Sequence, residues 1–139
     1  MAKQAKGGAM RSFKHFAVHW GPVFVLAALV YFFSDQPDLK SGLEAKWDLI
    51  LRKMAHMAEY GLLVFLLARA WVKGHGHSLR HGLILALVMA VLYAVGDELH
   101  QGFVKGRFGS PWDVAIDTIG AGLGVATFLL FSKRKRRRN

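Results

Sequence analysis

Apolar residues along this chain neither alternate nor recur at the three-and-four spacing of a helix with one wet face; they gather into four long blocks. The first reads HFAVHWGPVFVLAALVYFF over residues 15–33, and the others cover about 48–71, 79–103 and 112–131. Each is near the ~20 residues that a helix needs to cross the hydrocarbon core of a bilayer. A helix in a water-soluble bundle keeps a polar stripe, and the first and fourth blocks have almost none. The pattern predicts an all-α membrane protein, a bundle of four transmembrane helices over 15–131 joined by short loops. Residues 1–14 precede that domain and 132–139 follow it, both as basic segments. Pro22 falls near the start of the first helix, where its missing N–H does little harm.

At 139 residues the chain holds one domain. Without cysteine it has no disulfide or thiol chemistry. The first block follows a basic stretch, as a secretion signal does. It ends in Tyr31, Phe32 and Phe33 without a small-residue cleavage site, which reads as a retained anchor.

The net charge of +10 would suit a nucleic-acid binder, but its distribution points elsewhere. The N-terminus, the turn after the second block and the C-terminus carry Lys3, Lys6, Arg11, Lys14, Arg69, Lys73, Arg80 and the run from Lys133 to Arg138, with no acidic residue among them. Every Asp and Glu falls on the other side. Basic residues concentrate in cytoplasmic loops, so both termini are expected in the cytoplasm and no nucleic-acid partner is called for. The tail KRKRRRN then reads as a topology anchor. GHGH at 74–77 is a short inner turn without neighbouring acids or thiols, and no metal or other cofactor is assigned. Single cysteines at Ser41 and Ser78 should label from opposite faces of intact cells. Labelling of the Ser78 site by an impermeant reagent from outside would reverse the orientation.

In this topology three polar clusters meet in the outer leaflet. Lys53, His56, Glu59 and Tyr60 span an arc of about 120° on the second helix, with Met54, Ala58, Gly61 and Leu62 on the other side. Glu59 would lie roughly 10 Å below the outer boundary. The third helix ends with Asp97, Glu98 and Gln101, and the spacing lets Gln101 touch either acid. The fourth starts with Ser110 as a cap, Pro111 at its first position and Asp113 at its third. Asp113, Asp117, Gly120 and Gly124 share a stripe within about 60°, and the two glycines admit a second helix at close range. Taken singly, Lys53 reads as snorkelling, Asp113 as a cap, and Asp97 and Glu98 as helix-end residues. His56, Glu59 and Asp117 sit too deep for that, and ionisable groups inside membranes are paired and functional. Lys53, Arg52 and Arg107 are the available cations. For Asp117 two states are open: an ion pair, with Lys53 as its natural partner, or a protonated carboxyl.

The set Lys53-x-x-His56-x-x-Glu59-Tyr60, Asp97-Glu98-x-x-Gln101, Gly106-Arg107 and Ser110-x-x-Asp113, with Gly120 beyond it and Ser34-x-Gln36-Pro37 before it, resembles the VanZ-like family of bacterial membrane proteins. The resemblance covers about residues 17–131. It implies the bacterial cytoplasmic membrane and a connection to the cell envelope, since the family is named for an accessory protein of teicoplanin resistance. It implies no reaction. Where members often carry asparagine, this chain carries Asp117.

Several uses of the cluster stay open at this point. One is binding of an anionic envelope lipid or lipid-linked precursor, with Lys53, Arg107 and His56 on phosphate oxygens and carboxylates on sugar hydroxyls. Another is catalysis on such a lipid, with His56 and Glu59, Asp97 or Glu98 as acid and base, or with a divalent metal held by carboxylates and His56 or His100. A structural or accessory subunit is the third. Transport by four helices without an internal repeat is disfavoured.

Overall fold

The computed structural model describes residues 2–36, 44–104 and 109–138, with side chains described over 12–36, 44–104 and 109–134. Helix α1 is Ala2–Ser34, α2 Ala45–Arg69, α3 Leu79–Gln101 and α4 Pro111–Arg138. A π-helical turn, Ala70–Gly74, prolongs α2. No strand occurs among the described residues. Among the described residues four stretches are long and apolar enough to cross a membrane: Ser12–Ser34, Ala45–Gly74, Leu79–Gln101 and Pro111–Arg134. The chain is a multi-pass, all-α membrane protein.

The helices overrun the apolar blocks where Ala, Lys, Gln and Arg predominate, even across Gly7 and Gly8. AKQAKGGAMRSFK carries α1 back to Ala2, well before 15, and the basic tail carries α4 on to Arg138, past 131. The charge changes at 14 and 132 are therefore not helix ends. Helix α2 opens three residues earlier than its block, with the amides of Trp47 and Asp48 donating to the Glu44 carbonyl. Helix α3 stops at Gln101, short of 103. Pro111 is the first residue of α4, one position before the start of its block.

Contacts between the helices give the path of the chain. Tyr31 and Asp35 at the end of α1 meet His100 at the end of α3. Trp20, near the membrane entry of α1, donates its indole N–H to His75 Nε2 at 2.9 Å, beyond the π turn. His75 is thus engaged as an acceptor, and the GHGH segment packs on Trp20 and Trp71. Ser78 caps α3, accepting from the His81 amide. Up-and-down passage follows, with α1 parallel to α3 and α2 parallel to α4. The sites at the start of α2, the end of α3 and the start of α4 share one end of the bundle.

Helix α2 is the hub and touches all three others; among the described residues α1 makes no close approach to α4. Ala86, Ala90 and Ala94 form a small-residue stripe on α3 that lies fully inside. In lipid, helices associate by backbone proximity and polar contacts, because lipid tails are as apolar as leucine. Large apolar side chains such as Phe24, Leu62, Leu92 and Leu123 accordingly point outward.

The tightest contact is the α2–α4 seam. A Cβ on Gly120 would collide with the backbone of Met57, and one on Gly124 with the backbone of Gly61. Only glycine permits this approach. It sets the register of everything above it.

Candidate functional site

From the glycine crossing the seam runs toward the end shared by the starts of α2 and α4. One turn above Gly120, Asp117 comes opposite His56, with 3.6 Å between Oδ1 and Nδ1. One turn further, Asp113 forms an ion pair with Lys53, each about one-third exposed at 32% and 36%. Of the two states open for Asp117, the ion pair with Lys53 does not form. Lys53 takes Asp113 instead, because parallel helices locked at Gly61 and Gly124 bring residues about 60 positions apart into line.

Helix α3 closes the third side. Gln101 donates to Asp97 Oδ2 at 3.0 Å, so of its two reachable acids it selects the first. Glu98 accepts from the Ser110 backbone N–H at 2.8 Å and so ties the end of α3 to the start of α4. Ser110 in turn accepts from the Trp112 amide at its hydroxyl, as a helix-start residue does. Glu98 and Ser110 thus serve the joint between helices. Tyr60 lies within, only 1% exposed, with its ring stacked toward His56 and near Tyr93. Glu59 and Asp97 lie within electrostatic range of His56. Arg107 lies outside the described residues.

Between these helices is a cavity of about 60 Å³, lined by Leu49, Arg52, Lys53 and His56 of α2, Glu98 and Gln101 of α3, and Asp113, Ile116 and Asp117 of α4. It has room for about two water molecules at ~30 Å³ each. Cations stand at its mouth, Lys53 beside Asp113 and Arg52 beside Asp48 at 3.0 Å. Acceptors form its floor. Three buried oxygen atoms near it have no hydrogen-bond partner: Asp117 Oδ2, Asp97 Oδ1 and the Tyr60 hydroxyl. Buried polar groups without a protein partner are costly unless water or a ligand supplies the missing bond.

Among the described residues no three His, Asp or Glu side chains converge in a way that could hold a metal ion. His100 is drawn off toward α1, with Nε2 at 3.2 Å from Asp35 Oδ1. The Tyr93 hydroxyl, which donates to the Ala27 carbonyl at 2.6 Å, was not foreseen either. A lone tyrosine amid LVMAVLYAVG was the available signal.

On the far side of the seam an open apolar groove of about 560 Å³ runs between α2 and α4. Met54, Ala58 and Leu62 form one wall and Leu123, Thr127 and Phe131 the other, with the glycines at its base. Met54, Ala58 and Leu62 thus lie opposite the polar stripe, as expected, while Gly61 faces α4.

Comparison with known families matches residues 12–132 to the VanZ/LLP1 family. No curated protein and no solved structure matches the chain.

Proposed function

The chain belongs to the VanZ/LLP1 family, and from that premise we propose that it binds the head of a phosphate-bearing envelope lipid or lipid-linked precursor. The site opens to the outer leaflet of the bacterial cytoplasmic membrane, with both termini in the cytoplasm. The observation that supports this reading is the graded cavity, with cations at its mouth and the unpartnered Asp117 Oδ2 among the acceptors that line it. A lysine ammonium has three donors and Asp113 occupies one, so phosphate oxygens can join the existing pair. Holding such a lipid at the outer surface is how this protein would contribute to teicoplanin-type resistance.

Lipid co-purification in mild detergent, read by mass spectrometry, tests the proposal. The protein should carry a phosphate-bearing lipid enriched over the bulk membrane. Glu59→Ala and Asp97→Ala should lose most of it, whereas Leu62→Ala, on the lipid-facing side, should keep it. Equal lipid content in all four proteins would refute the proposal.

The His56–Asp117 contact favours one second reading, acid–base catalysis on the same lipid. Turnover of the retained lipid by the purified protein, lost in His56→Gln, would select it.

A further inference from the structure

We infer that the head this site accepts carries a primary amine beyond its phosphate, with the amine seated at Asp117; the inference rests on the lipid-head reading above. Three features of the cavity lead there.

The first is the state of the floor. Asp117 is 1% exposed and Asp97 4%. Each has one oxygen engaged, Asp117 Oδ1 facing His56 and Asp97 Oδ2 accepting from Gln101. Their second oxygens are buried and unpartnered, and Asp117 lines the cavity. With the His56 ring facing Oδ1 we read Asp117 as the carboxylate and not the protonated acid; a carboxylate only accepts, so what completes its second oxygen must donate. A phosphodiester, which has no P–OH, cannot do this.

The second feature is the order of charges along the seam. Lys53 and Asp113 stand at the mouth, and Asp117 lies one turn deeper, roughly 6 Å along the helix. A phosphate held at Lys53 and a donor cation at Asp117 are thus separated by about the reach of a two-carbon linker. A head with its negative charge outward and its positive charge inward matches both ends.

The third is size. About 60 Å³ takes a small terminal group and leaves no room for a sugar ring. A trimethylated ammonium is bulkier and offers no N–H, so it fails on volume and on hydrogen bonding together. A metal cation has no three-ligand set among the described residues. A primary ammonium on a short arm satisfies all three conditions, and phosphoethanolamine is the simplest such head.

The test uses the purified full-length protein with phosphatidylethanolamine, phosphatidylcholine and phosphatidylglycerol of identical chains, and retention read by native mass spectrometry. Phosphatidylethanolamine should be retained roughly tenfold or more over each of the others, the scale of one charge-assisted hydrogen bond. Asp117→Leu should retain phosphatidylethanolamine and phosphatidylglycerol equally, and the isosteric Asp117→Asn should show a reduced preference if the leucine variant does not fold. Lys53→Gln should weaken both lipids alike. Soluble phosphoethanolamine should compete if the head alone suffices, and should leave retention unchanged if the chains are required. Equal retention of phosphatidylethanolamine and phosphatidylglycerol by the unmodified protein overturns the amine inference and leaves the lipid-head reading standing. Failure to retain any of the three likewise overturns the amine inference, and the lipid-head reading then stands or falls on the lipid that co-purifies.

Discussion

Gly124→Ala should separate α2 from α4 and lower the stability of the folded bundle by about 1–3 kcal/mol, the usual scale of overpacking. The new methyl group would fall on the Gly61 carbonyl, a backbone atom that cannot rotate away. Gly120→Ala meets the backbone of Met57 and should behave alike, and the double variant should be worse than either. Gly122 supplies the control, since a Cβ there meets nothing within 4 Å. Gly122→Ala should be neutral or stabilising, because alanine is the better helix former by about 1 kcal/mol. Unfolding in mixed micelles, followed by helix content, reads all four. A Gly124→Ala protein as stable as the parent would show that the seam tolerates more space than its geometry allows.

The same seam explains which parts of the structure were legible in the sequence. Four membrane-length helices could be read directly, because lipid demands long apolar runs and little else produces them. Their ends could not. Hydropathy marks where the hydrocarbon stops, whereas the helical hydrogen bonds continue through Lys, Arg, Ala and Gln at both termini. That polar side chains of α2, α3 and α4 gather at one end of the bundle was also legible, since His56, Glu59 and Asp117 are expensive anywhere in a bilayer unless grouped. The pairing within it was not. Lys53 had several acids within reach of a bundle neighbour, and only the register imposed by Gly61, Gly120 and Gly124 puts Asp113 opposite it and Asp117 opposite His56. Glu98 looked like a ligand-binding acid, yet its contact with the Ser110 amide depends on how the chain turns between α3 and α4. No spacing rule within a single helix reports that.

Exchanging the charges of the Lys53–Asp113 pair should rescue the stability that either single change destroys. Asp113→Ala leaves Lys53 without its partner at the mouth of an acid-rich cavity, and Lys53→Ala leaves Asp113 beside Asp117 and Glu98. Breaking a fully buried ion pair from one side costs roughly 3–5 kcal/mol. Here both side chains keep about a third of their exposure, 36% and 32%, so the loss should be smaller. Each single variant should accumulate poorly and lose bound lipid. The double variant Lys53→Asp with Asp113→Lys should regain stability, because the pair is restored across the seam. It should not regain full lipid retention, since the cation then projects from α4. If the double variant is no more stable than the worse single one, the contact contributes nothing to the fold.

Parallel packing of α2 against α4 also bears on how the protein is made. Lys53 and Asp113 are 60 positions apart in the chain. At roughly 5–20 residues per second, translation leaves α2 in the membrane for about 3–12 s before its counter-charge exists. During that interval Lys53 and His56 have no α4 to face, and the flat strip around Gly61 is bare. Helix α4 then brings both carboxylates and both glycines on one surface, so the ion pair and the close crossing form together. Completion of the site is therefore the last step of assembly, and a chain halted before Pro111 is the form most open to proteolysis.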